Sequence, residues 1–133
     1  MTKLAALMPL LAIALTTSSV FAAPPIVQCD AMYSEDEAGG GNMGNVEHAQ
    51  ATVTTKGEHT PVGKAILTTR LEQVCASDGG PCSDGYHLST TLTIGDSSAY
   101  TSSDLDSNTP KYTRQHLSLD AAGKHVFVNC DVM

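Results

Sequence analysis

Cysteine placement constrains the fold of this chain more than any other sequence feature. The chain has four cysteines, and two of them enclose the turn-forming stretch C-A-S-D-G-G-P-C, from Cys75 to Cys82. A structural zinc site needs two close C-x-x-C or C-x-x-H pairs, and a thioredoxin-like site needs C-x-x-C at the start of a helix. Neither spacing occurs here. An even number of cysteines in an exported chain instead predicts two disulfides, for which the sequence alone allows three connectivities.

Residues 1–22 have the pattern of a secretory signal peptide. Lys3 precedes the apolar run L-A-A-L-M-P-L-L-A-I-A-L, which is too short to span a bilayer, and Val20 and Ala22 define a cleavage site. We therefore expect residues 1–22 to be removed and residues 23–133 to be exported, to the periplasm or out of the cell. After cleavage, the sequence contains no candidate transmembrane segment.

The charge of the exported chain argues against nucleic acid as a partner. Removing Lys3 leaves six basic against fourteen acidic side chains, a formal charge of −8. A surface that follows a phosphate backbone needs clustered Lys and Arg, whereas the basic residues here are scattered singly. The acidic balance favours solubility, and it also steers a protein toward a basic partner.

The apolar residues predict a small core that needs covalent support. The chain contains no Trp, two Phe and four Tyr. About 110 residues after cleavage make a single domain. Disulfides commonly stabilise an exported domain whose core is this small.

Alternation of apolar and polar residues with period two predicts half-buried strands through most of residues 23–133. Residues 85–94 show it most clearly, and no window after the signal peptide has helical periodicity. We therefore expect an all-β fold, a small disulfide-stapled antiparallel barrel or sandwich of about six strands. The predicted strands are Ile26–Tyr33, Val46–Thr55, Lys64–Val74, Gly85–Ile94, Lys111–Leu119 and Lys124–Val132, with a turn at K-G-E-H-T-P-V-G and a long loop at Gly95–Pro110.

A bridge between Cys75 and Cys82 predicts the register of the hairpin around it. If the two cysteines are directly opposed, Leu71 faces Tyr86, and the apolar sides of both strands coincide. Closing this short loop is worth about 2.5 kcal/mol in the entropic model. The remaining pair, Cys29 with Cys130, closes a long loop worth on the order of 4.7 kcal/mol and ties the first strand to the last.

Metal binding and catalysis find little support in the sequence. The segment D-L-D-S-N begins like a calcium loop, but Thr109 replaces the required Gly and Gln115 the required Glu. No G-x-S-x-G motif occurs, and so small a β-domain has little volume for a substrate pocket. We expect no enzyme activity, no cofactor and no metal site, although histidines grouped on one sheet face would suit zinc or copper. The histidines are His48, His59, His87, His116 and His125.

These features favour an exported β-domain that binds another macromolecule, such as an inhibitor of a secreted or cell-wall enzyme. A rigid hairpin tip can enter an active-site cleft with little loss of entropy. The candidate contact loop between the two close cysteines is Ser77, Asp78, Gly79, Gly80 and Pro81, with Asp78 as a charged anchor. Two alternatives remain open, an assembly component of the cell envelope whose edge strand is completed by a partner, and a periplasmic metal-binding protein that uses surface histidines.

Overall fold

The structure, a computed structural model, describes residues 23–38, 44–106, 108–110 and 113–133. The predicted signal peptide lies outside these residues. The described residues form strands joined by turns, with no helix among them, and none of these segments could cross a membrane as a long apolar helix. The eight strands are β1 (Val27–Glu35), β2 (Glu47–Val53), β3 (Glu58–Val62), β4 (Ala65–Cys75), β5 (Cys82–Ile94), β6 (Ser97–Leu105), β7 (Arg114–Ala121) and β8 (Lys124–Val132).

The strands form two antiparallel sheets that share one hydrophobic core. Sheet I has the order β2-β1-β8-β7, and sheet II has the order β3-β4-β5-β6. The inward side chains of both sheets meet in a single cluster, so each sheet buries the apolar face of the other. The all-β prediction is confirmed. The sheets do not close into a barrel, so that predicted alternative is wrong, and the described residues form eight strands where about six were expected.

Strands β3 and β6 occupy segments predicted to be a turn and a loop, and they are the edges of sheet II. Strand β3 contains Pro61, and β6 is rich in serine, so neither shows the alternation of a strand with a fully buried face. Proline is tolerated in β3 because an edge strand can leave one N–H position unpaired. The predictions of a turn at K-G-E-H-T-P-V-G and of a loop at Gly95–Pro110 are therefore wrong over most of their length.

The hairpin of β4 and β5 pairs in a different register from the one predicted. Cys75 is opposite Cys82 as expected, but Leu71 faces Leu88 rather than Tyr86, because the register shifts between Gln73 and Cys75. Three residues of β5, Ser83–Gly85, stand where β4 has one, which makes this a β-bulge. The shift is even, so the apolar residues of both strands still face the core.

The disulfide between Cys29 and Cys130 lies inside the core of the protein. The two residues are direct neighbours on β1 and β8, the two central strands of sheet I. Their side chains are almost completely buried, at 1% and 0% exposure. The second disulfide joins Cys75 to Cys82, so the structure has the pairing that the sequence analysis favoured.

Candidate functional site

The β4–β5 hairpin extends beyond the rest of sheet II and forms a projecting tip. These are the longest of the described strands, with 11 and 13 residues. Strand β3 reaches only to Thr69 on one side, and β6 ends opposite Tyr86 on the other. Residues 74–85, which we call the stapled tip, therefore have no neighbouring strand in the described sheet, and almost all of them are exposed.

Side-chain hydrogen bonds brace the base of the stapled tip across the bulge. The hydroxyl of Ser83 donates to the carbonyl oxygen of Val74 over 3.1 Å and accepts a hydrogen bond from the N–H of Gly85. The amide of Gln73 donates to the carbonyl oxygen of Ser83 over 2.9 Å. Since the disulfide joins Cys75 and Cys82, the residues next to Val74 and Ser83, the base of the tip is held both covalently and by hydrogen bonds.

The five residues of the predicted contact loop form one compact turn at the end of the stapled tip. Asp78 directs its Oδ1 atom to the N–H of Gly80 over 3.0 Å, which is a typical Asx turn. The N–H of Gly79 donates to the carbonyl oxygen of Ala76, and Gly79 has a φ of +78°, a conformation that favours glycine. One carboxylate oxygen of Asp78 is thus used in the turn, and the other is free to face a partner.

The stapled tip carries negative charge. Asp78 and Asp84 are its ionisable side chains, and both are exposed. The nearest basic side chain along β4, Arg70, pairs with Glu72 on the same face. Val74, at 44% exposure, is a large apolar side chain that the tip exposes to solvent. The stapled tip therefore combines a restrained backbone with two exposed carboxylates and an exposed valine.

The histidines lie on the outer faces of the two sheets and do not converge. His59 belongs to β3, so its predicted place in a turn is wrong. His87 bonds Asp104, and His116 bonds Asn129, each with its cross-strand partner over 2.8 Å. Within the described ranges, no three His, Cys, Asp or Glu residues come together in a way that could hold a metal ion.

His125 has the most specific environment of the histidines. Its Nδ1 atom lies 2.7 Å from Asp120, its cross-strand partner on β7, and its Nε2 atom lies 3.0 Å from Asp36, which follows β1. Because a carboxylate can only accept, both ring nitrogens must donate, and this requires the imidazolium form. The N–H of Asp36 also donates to the carbonyl oxygen of Gly123 over 2.8 Å, so His125 fastens the β7–β8 turn to the end of β1.

The contribution of His125 to stability is expected to disappear as the pH rises. Its hydrogen bonds to Asp120 and then to Asp36 raise the pKa of His125 above the ordinary value of 6.5. A group whose pKa is higher in the folded state stabilises fully below its unfolded pKa, and this contribution is lost as the pH passes the folded value. The stability difference between the wild type and His125→Gln should therefore shrink from pH 5 to pH 8, measured by urea unfolding. Asp120→Asn should weaken this dependence, and a difference that does not change with pH would contradict the assignment.

Comparison with known proteins identifies no relative. No family model matches the chain, and no curated protein and no solved structure matches it either.

Proposed function

We propose that this chain is an exported binding module that presents the stapled tip to a basic protein partner. The observation that supports this proposal best is the projection of residues 74–85 beyond the neighbouring strands, with a disulfide and hydrogen bonds that restrain the base. The two sheets then act as a sandwich that supports the tip. Two disulfides in a small domain fit an oxidising compartment outside the cytoplasm.

A narrow, preorganised ribbon suits insertion into a cleft. Ordering a flexible loop on binding costs free energy for each immobilised residue, and the Cys75–Cys82 bridge has already removed much of that freedom. Enzyme active sites are typically set in clefts of this kind. Inhibition of a secreted or cell-wall enzyme is therefore the form of binding that we propose, with the Asp78 carboxylate directed at a basic group of that enzyme.

Removing the charge of Asp78 should weaken binding without disturbing the turn. In Asp78→Asn the Oδ1 atom can still accept from Gly80, so the loop conformation is kept while the negative charge is lost. A charged contact near the centre of an interface is often worth tenfold or more in affinity, roughly 1.4 kcal/mol. We expect a pulldown with residues 23–133 from secreted and envelope fractions to capture a basic protein, whose affinity for Asp78→Asn falls by about this factor.

Asp30→Asn provides the matched control for this experiment. It removes the same charge from an exposed strand position on sheet I, where Asp30 accepts a hydrogen bond from Gln50. Because both variants change the net charge equally, a tip-specific contact should affect only Asp78→Asn. Equal losses for both variants would reduce the interaction to general charge attraction. An acidic partner whose binding resists high salt would reject the proposal.

A further inference from the structure

Strand β6 is an open sheet edge with few of the features that normally prevent edge pairing. In the described part of the chain it pairs only with β5, and it is nine residues long. Proteins usually protect such edges with proline, charged side chains or short length. By contrast, β6 has one charged residue, Asp104, and no proline. The other sheet edges carry more protective features, namely Glu47 and His48 on β2, Pro61 on the short β3, and Arg114, His116 and Asp120 on β7.

The hairpin register shows which backbone groups of β6 are available at this edge. A two-residue turn, Gly95–Asp96, connects Ile94 to its partner Ser97, so these two residues form a hydrogen-bonded pair. Since hydrogen-bonded and non-bonded pairs alternate, every second residue of β6 directs its N–H and C=O away from β5. These residues are Ser98, Tyr100, Ser102 and Asp104. They are exposed, and Tyr100 reaches 61% exposure.

A partly uncovered apolar strip lies beside this edge. Gln115 of β7 accepts a hydrogen bond from Thr90 of β5 and donates to the hydroxyl of Ser103 on β6 over 3.0 Å. The β7 edge of sheet I therefore lies next to the β6 edge of sheet II. Leu117 and Leu119 follow Gln115 on the same side of β7 and remain partly exposed, although their cross-strand partners on β8 are buried. The inward residues of β6 next to them are too small to cover them, namely Ala99 and Thr101.

The charges around the strip are negative at both ends. Asp96 precedes β6, and Asp104 and Asp106 lie at its other end. No Lys or Arg lies on β6 itself, and Arg114 at the start of β7 is bound by Asp131 through two hydrogen bonds. A second copy of this acidic chain would therefore bring like charges together at this edge. A strand with basic ends would be attracted to it.

We propose that the β6 edge binds an extended segment of another protein, whose apolar residues alternate and whose ends carry Lys or Arg. The segment adds a strand to sheet II through the outward backbone groups of β6. Its inward side chains cover Leu117 and Leu119, and its basic ends meet Asp96 and Asp104. This site lies along the side of the two sheets and does not depend on the stapled tip.

The test uses a displayed library of random peptides, roughly ten residues long to match a typical strand, selected on residues 23–133. The selected peptides should alternate in apolar residues and have basic ends. N-methylation of those alternate amides that face β6 should lower the affinity at least about tenfold in fluorescence anisotropy, because each lost donor leaves a carbonyl unpaired. Methylation of the intervening amides should have little effect.

Two proline variants test the location of the site. Ser102→Pro removes an N–H that points away from β5, so binding should fall by at least about tenfold while the pairing of β5 and β6 remains. Ser118→Pro removes the equivalent outward N–H from the β7 edge and should leave binding unchanged. Equal binding by Ser102→Pro and the wild type, selected peptides without alternation, or self-association of the chain through β6 would each overturn the proposal.

Discussion

Replacing both Cys29 and Cys130 by alanine should lower the free energy of unfolding by on the order of 4.7 kcal/mol. The bridge joins residues 101 positions apart, so in the entropic model it removes much of the freedom of the unfolded chain. In a domain of this size, such a loss lowers the melting temperature by roughly 20–30 °C. Because both side chains are buried in the core, the small void left by the sulfurs adds to the cost. Urea unfolding followed by circular dichroism measures the effect.

The corresponding double variant of Cys75 and Cys82 is the control. It opens a loop with a separation of only 7 residues, which the same model values at about 2.5 kcal/mol. These cysteines are exposed, so no core packing is lost with them. The variant should therefore be less destabilised than the one that lacks the core bridge. Equal costs for the two variants would show that loop closure does not determine the stabilisation.

The strands with a fully buried side could be predicted from the sequence, whereas the edges of sheet II could not. Central strands such as β1 and β8 alternate clearly because one face of each packs against the core. Strand β6 alternates between exposed and partly buried residues, so serine and threonine suffice on both faces and no apolar period appears. Edge strands of this kind resemble loops in composition, because little apolar surface has to be buried there.

The alternation of apolar and polar residues along β4 and β5 predicts which face of this hairpin is buried, but it does not determine how the two strands are aligned. Every register that keeps Leu71 opposite an inward residue of β5 satisfies the apolar pattern equally well. The bulge at Ser83–Gly85 is braced by local hydrogen bonds, from Ser83 to Val74 and from Gly85 to Ser83, which leave no periodic signal in the sequence. The one sequence feature that suggests a bulge is Gly85, a glycine next to polar residues within a strand.

The residues of the contact loop could be named in advance, but its projection from the body of the protein could not. The tip projects because β3 and β6 end before β4 and β5 do. The sequence predicts loops in place of β3 and β6, so it could not indicate this projection. The contacts of His125 were equally hidden, since Asp36 lies 89 positions away in the sequence. Contacts between residues that are distant in sequence can be identified only when the fold is known.

Substituting alanine for Gly63 should destabilise the protein by roughly 2–5 kcal/mol, for two independent reasons. Gly63 lies in the turn between β3 and β4 with a φ of +56°, and a residue with a Cβ atom adopts this conformation at a cost of about 1–2 kcal/mol. A Cβ atom at this position would also lie only 2.0 Å from a carbon of the Tyr33 ring. Relieving such an overlap in a packed site typically costs a further 1–3 kcal/mol.

The Tyr33 ring has little room to move away from an added methyl group. The ring is buried against the turn, and its hydroxyl donates to Glu35, which also pairs with Lys64 over 2.7 Å. Burial, together with the hydrogen bond and the charge of Glu35, raises the pKa of Tyr33 to about 12, so the hydroxyl remains a donor through the physiological range. Movement of the ring would disrupt this group, which links β1 to the β3–β4 turn.

Gly95→Ala separates the two contributions to the cost at Gly63. Gly95 also lies in a two-residue turn with a positive φ, of +54°, but a Cβ atom there would meet no atom within 4 Å. It should therefore cost only the backbone term, about 1–2 kcal/mol. In a Tyr33→Ala background, which removes the ring, the cost of Gly63→Ala should fall to the same value. Thermal or urea unfolding of these variants measures both costs, and an equal effect of Gly63→Ala with and without the ring would show that contact with Tyr33 does not restrict this position to glycine.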